Sequence, residues 1–130
     1  MNILLVDDDE VDRKLIKRAL TNDANVRNLC EVSSAIEGLK LAETGEFDVL
    51  LLDYMMPEID GIEMVIEIRS RPNLGETAII MMSSSEDEEL ALSCLHAGAQ
   101  DFITKKEITS SKLKRSLLQA KKRFEMEKKL

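Results

Sequence analysis

At 130 residues the chain is long enough for one domain with a core that needs no staples, and 44% hydrophobic with 33% charged residues is too apolar for disorder. The longest apolar runs, such as residues 49–52, are far too short to span a bilayer. The net charge of −7 is split: residues 1–104 carry 8 basic and 22 acidic side chains, and residues 105–130 carry 10 basic and 3 acidic. An acidic body argues against direct nucleic-acid binding, and the basic segment reads as a solvated helix face rather than a membrane contact.

In chain order, apolar runs alternate five times with segments of helical period. Residues 3–6 read as a strand, and residues 11–20 as a helix with Val11, Leu15, Ile16 and Leu20 on one face. A weaker strand is expected near 26–32, then a helix near 35–42. Residues 49–52 form a fully apolar strand, followed by a helix near 62–68 and a fourth strand at 78–82. Ser85-Glu86-Asp87-Glu88 has capping-box form, so a serine-capped helix is expected to run to Ala97, with Gly98 ending it. A short fifth strand follows at 102–104, and a long helix starts near Ser110.

Strands that are apolar throughout suit a parallel sheet covered on both faces. Strict alternation of strand and helix then implies a doubly wound α/β fold. Such folds bind ligands beyond the carboxyl ends of the strands, at the switch point of the topology. No signal peptide opens the chain, so the cytoplasm is the expected compartment. Cys30 and Cys94 have no metal-type or redox-type spacing and are expected to be reduced and buried.

The strand ends carry the chemistry. Asp7-Asp8-Asp9 follows the first strand, Asp53 the third, Ser83-Ser84-Ser85 the fourth, and Thr104-Lys105 the fifth. Carboxylates converging from two strands repel unless a cation sits among them. With no His or Cys nearby, a hard ion such as Mg²⁺ fits better than Zn²⁺. Lysine and serine add what a transferring phosphoryl group requires, positive charge and a hydroxyl donor, and a carboxylate can act as nucleophile to give an aspartyl phosphate. Each piece alone has a plainer explanation. The acidic triplet could be a helix cap favoured by the dipole, and the serines a loop. Asp53 is harder to dismiss, because a carboxylate at the end of an apolar strand is costly without a partner.

Together, Leu5-Val6-Asp7-Asp8, Leu51-Leu52-Asp53-Tyr54-Met55-Met56-Pro57-Glu58-Ile59-Asp60-Gly61, Met81-Met82-Ser83-Ser84 and Ala97-Gly98-Ala99 leading to Lys105 resemble the response-regulator receiver family over residues 2–118. The resemblance implies a flavodoxin-like five-stranded parallel sheet of strand order 2-1-3-4-5. It implies that Asp53 is phosphorylated by a sensor histidine kinase or phosphotransfer protein in a two-component phosphorelay. Asp8 would bind Mg²⁺ directly and Asp7 mainly through water, with Asp53 and the Met55 carbonyl completing the protein ligands. Lys105 would pair with the phosphoryl oxygens. Ser83 would move toward the phosphoryl group, and Phe102 would turn inward as the aromatic switch. The signal would be a changed surface of the fourth helix, fifth strand and fifth helix, with catalysis limited to the domain's own phosphorylation and dephosphorylation. Asp9 is read as a helix cap.

Two departures stand out. The family's usual proline after the lysine is Lys106 here, and Phe102 replaces a frequent tyrosine. A phosphatase of the aspartyl-nucleophile class normally has an acid two residues after its nucleophile, where this chain has Met55. A pseudo-receiver would not be expected to keep Asp7, Asp8, Asp53, Ser83 and Lys105. His96 is expected to be a surface residue favoured by the helix end. Residues 1–118 are expected to form the receiver, and 119–130 to extend the last helix. Leu113, Leu117, Ala120 and Phe124 form a heptad-like stripe there, read as the start of a coiled-coil linker to a C-terminal effector domain. The rival reading is a long surface helix, and homodimerisation stays open.

Overall fold

The computed structural model describes residues 1–74 and 76–130. Five strands, β1 (Asn2–Val6), β2 (Asn28–Val32), β3 (Val49–Asp53), β4 (Ala78–Ser83) and β5 (Asp101–Thr104), form one parallel sheet in the order β2-β1-β3-β4-β5. Helices α1 (Glu10–Leu20), α2 (Ala35–Ala42), α3 (Gly61–Ser70), α4 (Glu88–Ala97) and α5 (Ser110–Lys128) follow the strands in turn. This is the doubly wound fold expected from the alternation, with the flavodoxin-like strand order that the resemblance implies.

Side chains alternate across each strand, so an apolar run buried on both faces feeds two cores. Leu4, Val6, Leu50, Leu52 and Met81 join Met64, Val65, Ile68 and Cys94 on one face. Ile3, Leu5, Val49, Leu51 and Ile80 join Ile16, Leu20, Leu113 and Leu117 on the other. The register pairs Val6 with Leu52, Asp53 with Met82, and Ser83 with Thr104. Every strand thus stops at one edge, and the residues after β1 and β5 open onto the same rim as the ends of β3 and β4.

Most boundaries differ from expectation by a residue or two, the usual scatter of fraying ends. Two differences are structural. Val11 and Leu15 do not join the core: they are 65% and 53% exposed, and only Ile16 and Leu20 of the expected face are buried. The cap of α4 is Asp87, not Ser85. The Asp87 side chain accepts from the Glu89 N–H at 2.9 Å, while the Ser85 hydroxyl accepts from the Asp87 N–H at 3.1 Å. A carboxylate next to the helix accepts more strongly than a hydroxyl and carries the charge the dipole favours.

Gly98 ends α4 at φ +127°, a conformation that a side chain would disfavour. The long α5 lies on the sheet. Its stripe of Leu113, Leu117 and Ala120 is buried, with Phe124 packed against it, so the apolar face read as heptad-like covers the domain's own core. Arg69 anchors this end of the helix: its guanidinium donates to the carbonyls of Gly98 and Thr77 and to Gln100, and lies 5.2 Å from the Phe124 ring centroid. Cys94 is buried and Cys30 half-buried, both free thiols, and burial pushes the Cys94 thiol up to about 11, which leaves it unreactive. Among the described residues, no helix is long and apolar enough to cross a membrane.

Candidate functional site

The rim begins at Asp7. β1 ends at Val6, and the Asp7 N–H still reaches the Val32 carbonyl at 3.2 Å, so the chain is held in line with the sheet for one more residue. Its carboxylate then accepts from the Asp9 N–H at 2.9 Å, turning the backbone, and Arg13 donates to its carbonyl at 2.7 Å. Asp9 caps α1 as expected, accepting from the N–H groups of Val11 and Asp12. The outcome is one fully buried carboxylate, Asp7, beside one exposed carboxylate, Asp8.

Asp53 is the last residue of β3 and is 6% exposed. The loop behind it is pinned: Tyr54 donates to the Met82 carbonyl at 2.9 Å, and Gly61 donates to the Tyr54 carbonyl at 2.8 Å. Glycine is required at position 61, because a Cβ there would lie 2.5 Å from the Met81 sulfur and 2.9 Å from the Tyr54 Cα. Gly61→Ala should therefore cost about 1–3 kcal/mol of stability. It should also displace the backbone next to Asp53. The denaturation midpoint measures the first effect, and divalent-cation affinity the second.

Carboxylate oxygens of Asp7, Asp8 and Asp53 can all lie within 4.8 Å of one another. Lys105, the first residue after β5, reaches into this group. Its ammonium is 2.9 Å from Asp7 Oδ2, 3.1 Å from Asp53 Oδ1 and 2.7 Å from Asp12 Oδ2. Asp7 Oδ2 has no hydrogen-bond partner of good geometry, so its contact with Lys105 is one of charge rather than a directed bond. A buried oxygen left unsaturated beside two further carboxylates is the donor set of a hard cation, all oxygen with no nitrogen or sulfur. The residues fit Mg²⁺.

Electrostatics follow from that crowding. Burial, and then the Asp7 charge, push the Asp53 carboxyl up to about 7, with Lys105 and the Met55 backbone pulling the other way. Burial alone would lower the Lys105 pKa, but the facing carboxylates of Asp12, Asp7 and Asp53 outweigh it and hold the amine above the ordinary lysine value. The lysine is a permanent cation and Asp53 is poised near neutrality.

Ser83 ends β4, buried, with its hydroxyl accepting from the Ser85 N–H at 3.0 Å. Phe102 on β5 is half-buried against the core. The Met55 side chain is 68% exposed, so only its backbone faces the carboxylates. At the position where the family has proline, Lys106 pairs with Glu86 at 3.1 Å across two exposed loops. His96 is exposed near the end of α4, as expected. Sequence reasoning missed Asp12, whose only signal was an acid in the first turn of a helix that starts at a functional strand end. It also missed Arg13, which fixes the backbone of Asp7.

The family model described as the response regulator receiver domain matches residues 3–117. The two-component response regulator ORR1 of Oryza sativa subsp. japonica is 36% identical over 111 residues, covering 79% of this chain and 48% of that protein. The chain thus spans about half the length of that relative. Among solved structures, the CheY-like receiver domain protein of Methanospirillum hungatei JF-1 superposes with a TM-score of 0.80 at 27% identity, covering 97% of each chain. The receiver domain of the sensor histidine kinase PA1611 of Pseudomonas aeruginosa PAO1 gives 0.79 at 28% identity, covering 92% of this chain and 96% of that one. That structure carries a magnesium ion coordinated in its active-site cleft.

Proposed function

The chain belongs to the response regulator receiver domain family, and from that premise we propose that it is a phosphorylation switch in which Asp53 accepts a phosphoryl group from a phosphohistidine. The observation that carries this reading is the Lys105 ammonium set among Asp7, Asp12 and Asp53 at the sheet rim. The donor is a sensor histidine kinase or a phosphotransfer protein, and the proposed setting is the cytoplasm.

In the transfer, a carboxylate oxygen of Asp53 forms a bond to phosphorus as the phosphorus–nitrogen bond of the phosphohistidine breaks and the imidazole leaves. Asp53 must be deprotonated to attack, and Lys105, 3.1 Å from its Oδ1, favours the ionised form against burial and the Asp7 charge. Lys105 meets the charge on the phosphoryl oxygens without a proton transfer, because it stays charged across the working range. Asp7, Asp8, Asp53 and the Met55 carbonyl would hold Mg²⁺, which neutralises the carboxylates and draws charge from the phosphoryl oxygens when bound.

Ser83 donates its hydroxyl proton to a phosphoryl oxygen, giving up the contact with the Ser85 N–H. That withdraws support from a chain of short turns, Ser83 to Ser85 to Asp87 to Glu89, that leads into α4. Phe102 follows into the space on β5, and the surface of α4, β5 and α5 changes shape. The domain acts on its own aspartate and turns over no separate substrate. Residues 119–130 would carry the signal on toward an effector domain, a reading supported by the match ending at residue 117 and by the greater length of ORR1.

Intact-mass spectrometry after incubation with Mg²⁺ and acetyl phosphate tests the chemistry. The expected result is one phosphate adduct that requires Mg²⁺ and is absent from Asp53→Asn. A folded protein that gains no adduct and forms no beryllofluoride complex would leave a protein-interaction module without phosphoryl chemistry.

A further inference from the structure

Lys105 offers three N–H donors, and three carboxylates face it. Two of them, Asp7 and Asp53, belong to the carboxylate cluster. The third, Asp12, lies on α1 and is absent from the group that can hold a metal. Yet it makes the shortest of the three contacts, 2.7 Å against 2.9 and 3.1 Å. It is also the one with hydrogen-bond geometry. A charge-assisted bond of that length is among the stronger polar contacts.

A plain first-turn acid would do less. Glu10 occupies the same turn, and its carboxylate reaches only to Lys14, with both side chains largely in solvent. Asp12 is instead turned inward, with its side chain 28% exposed. Beside the pair, a pocket lined by Asp12, Leu15, Ile16, Lys105 and Ile108 gives the lysine stem room to swing away from Asp53.

We propose that Asp12 is a positioning residue for Lys105, holding its ammonium at the cleft mouth so that the remaining N–H groups meet the phosphoryl oxygens on Asp53. Asp53 loses its carboxylate charge on phosphorylation, and Asp7 would be among the residues that hold Mg²⁺. Asp12 lies outside both events, so its hold on the lysine persists through the transfer. The inference rests on Asp53 as the acceptor, and one of its two tests is independent of that reading.

The first test compares phosphorylation by acetyl phosphate at saturating Mg²⁺ in the wild type, Asp12→Ala and Asp12→Asn. Alanine should slow the reaction about tenfold through misplacement of the lysine. Asparagine, whose side-chain oxygen still accepts from the ammonium, should recover most of the rate. Mg²⁺ affinity, followed by the fluorescence of Tyr54, the one tyrosine in a chain without tryptophan, should be alike in the two variants. The second test uses metal-free protein: acylation of Lys105 by an amine-reactive ester, read by peptide mass spectrometry. Alanine should raise that reactivity severalfold and asparagine should not. Wild-type rates in Asp12→Ala, or an asparagine variant as impaired as the alanine one, would overturn the proposal. Unchanged acylation in Asp12→Ala would overturn it even if the wild type took up no phosphoryl group, an outcome that separately sinks the reading of Asp53.

Discussion

Lys105→Ala should leave a protein that is markedly less stable in EDTA and regains its stability on adding Mg²⁺. The ammonium is the only cation within 4 Å of the Asp7 or Asp53 carboxylate oxygens among the described residues, and its side chain is 15% exposed. Removing it strands a fully buried carboxylate beside a nearly buried one. Two unit charges 4–5 Å apart repel by roughly 3–4 kcal/mol at the effective dielectric of a partly buried site. Breaking a buried ion pair from one side costs about 3–5 kcal/mol. A fall in Tm of roughly 10 °C at pH 8 is the matching expectation. Asp53 can relieve part of this by taking a proton, so the loss should be smaller at pH 6 than at pH 8. Mg²⁺ replaces the missing charge and binds only the folded rim, which stabilises by mass action. The variant should therefore bind Mg²⁺ more tightly than the wild type while losing most phosphorylation by acetyl phosphate. Urea melts with and without Mg²⁺ at both pH values measure all of this. Equal melts of variant and wild type in EDTA would mean that Lys105 does not neutralise the rim.

Asp53→Asn should do the opposite. The folded protein holds the Asp53 proton to about 7, against 3.8 for an ordinary aspartate. The native state thus binds that proton more tightly than the unfolded chain, and ionising Asp53 costs folding free energy. The sign of the linkage is fixed: wild-type stability declines as pH rises from about 4 to about 7 and stays low above that. Asparagine removes the titration, and Lys105 keeps Asp7 and Asp12 as partners. In EDTA at pH 8 the variant should melt higher than the wild type by about 5 °C or more, with the gap closing near pH 4. Adding Mg²⁺ should reverse the order, because the wild type gains a ligand the variant lacks. The phosphate adduct disappears altogether. For the same reason, Mg²⁺ binding by the wild type should weaken as pH falls through 7, where protons compete for Asp53. A variant less stable than the wild type at pH 8 without metal would show that Lys105 outweighs burial and the Asp7 charge.

Much of this was legible in the residue order. Residues 49–52 and 78–82 are apolar without a break, a pattern that only a sheet covered on both faces accommodates, and the helical segments between them force parallel crossovers. That places Asp7, Asp53, Ser83 and Lys105 on one rim before any coordinate is known, because a parallel sheet sends every strand's carboxyl end the same way. Local chemistry was less secure where two good candidates compete. Ser85 fits a capping box, yet Asp87, two residues nearer the helix, takes the cap. Val11 and Leu15 have the right period for a buried face, but helical period does not say how far the sheet extends beneath a helix. The stripe on α5 shows the same limit: Leu113, Leu117, Ala120 and Phe124 suit a coiled coil or a sheet, and here the sheet receives them.

The sequence by itself determined the fold, the strand-end cluster and the class of ion that cluster suits, because these depend on periodicity and on which residue types follow each strand. Only the tertiary structure decided which charges meet. Asp12 and Lys105 are 93 positions apart, and no local pattern links the first turn of α1 to the residue after β5. Their contact exists because the sheet order sets α1 and α5 on the same face, beside the rim. The same packing buries Asp7 completely and leaves Asp8 in solvent, although the two are chemically identical neighbours. Burial, and not residue type, is what moves Asp53 to the edge of neutrality.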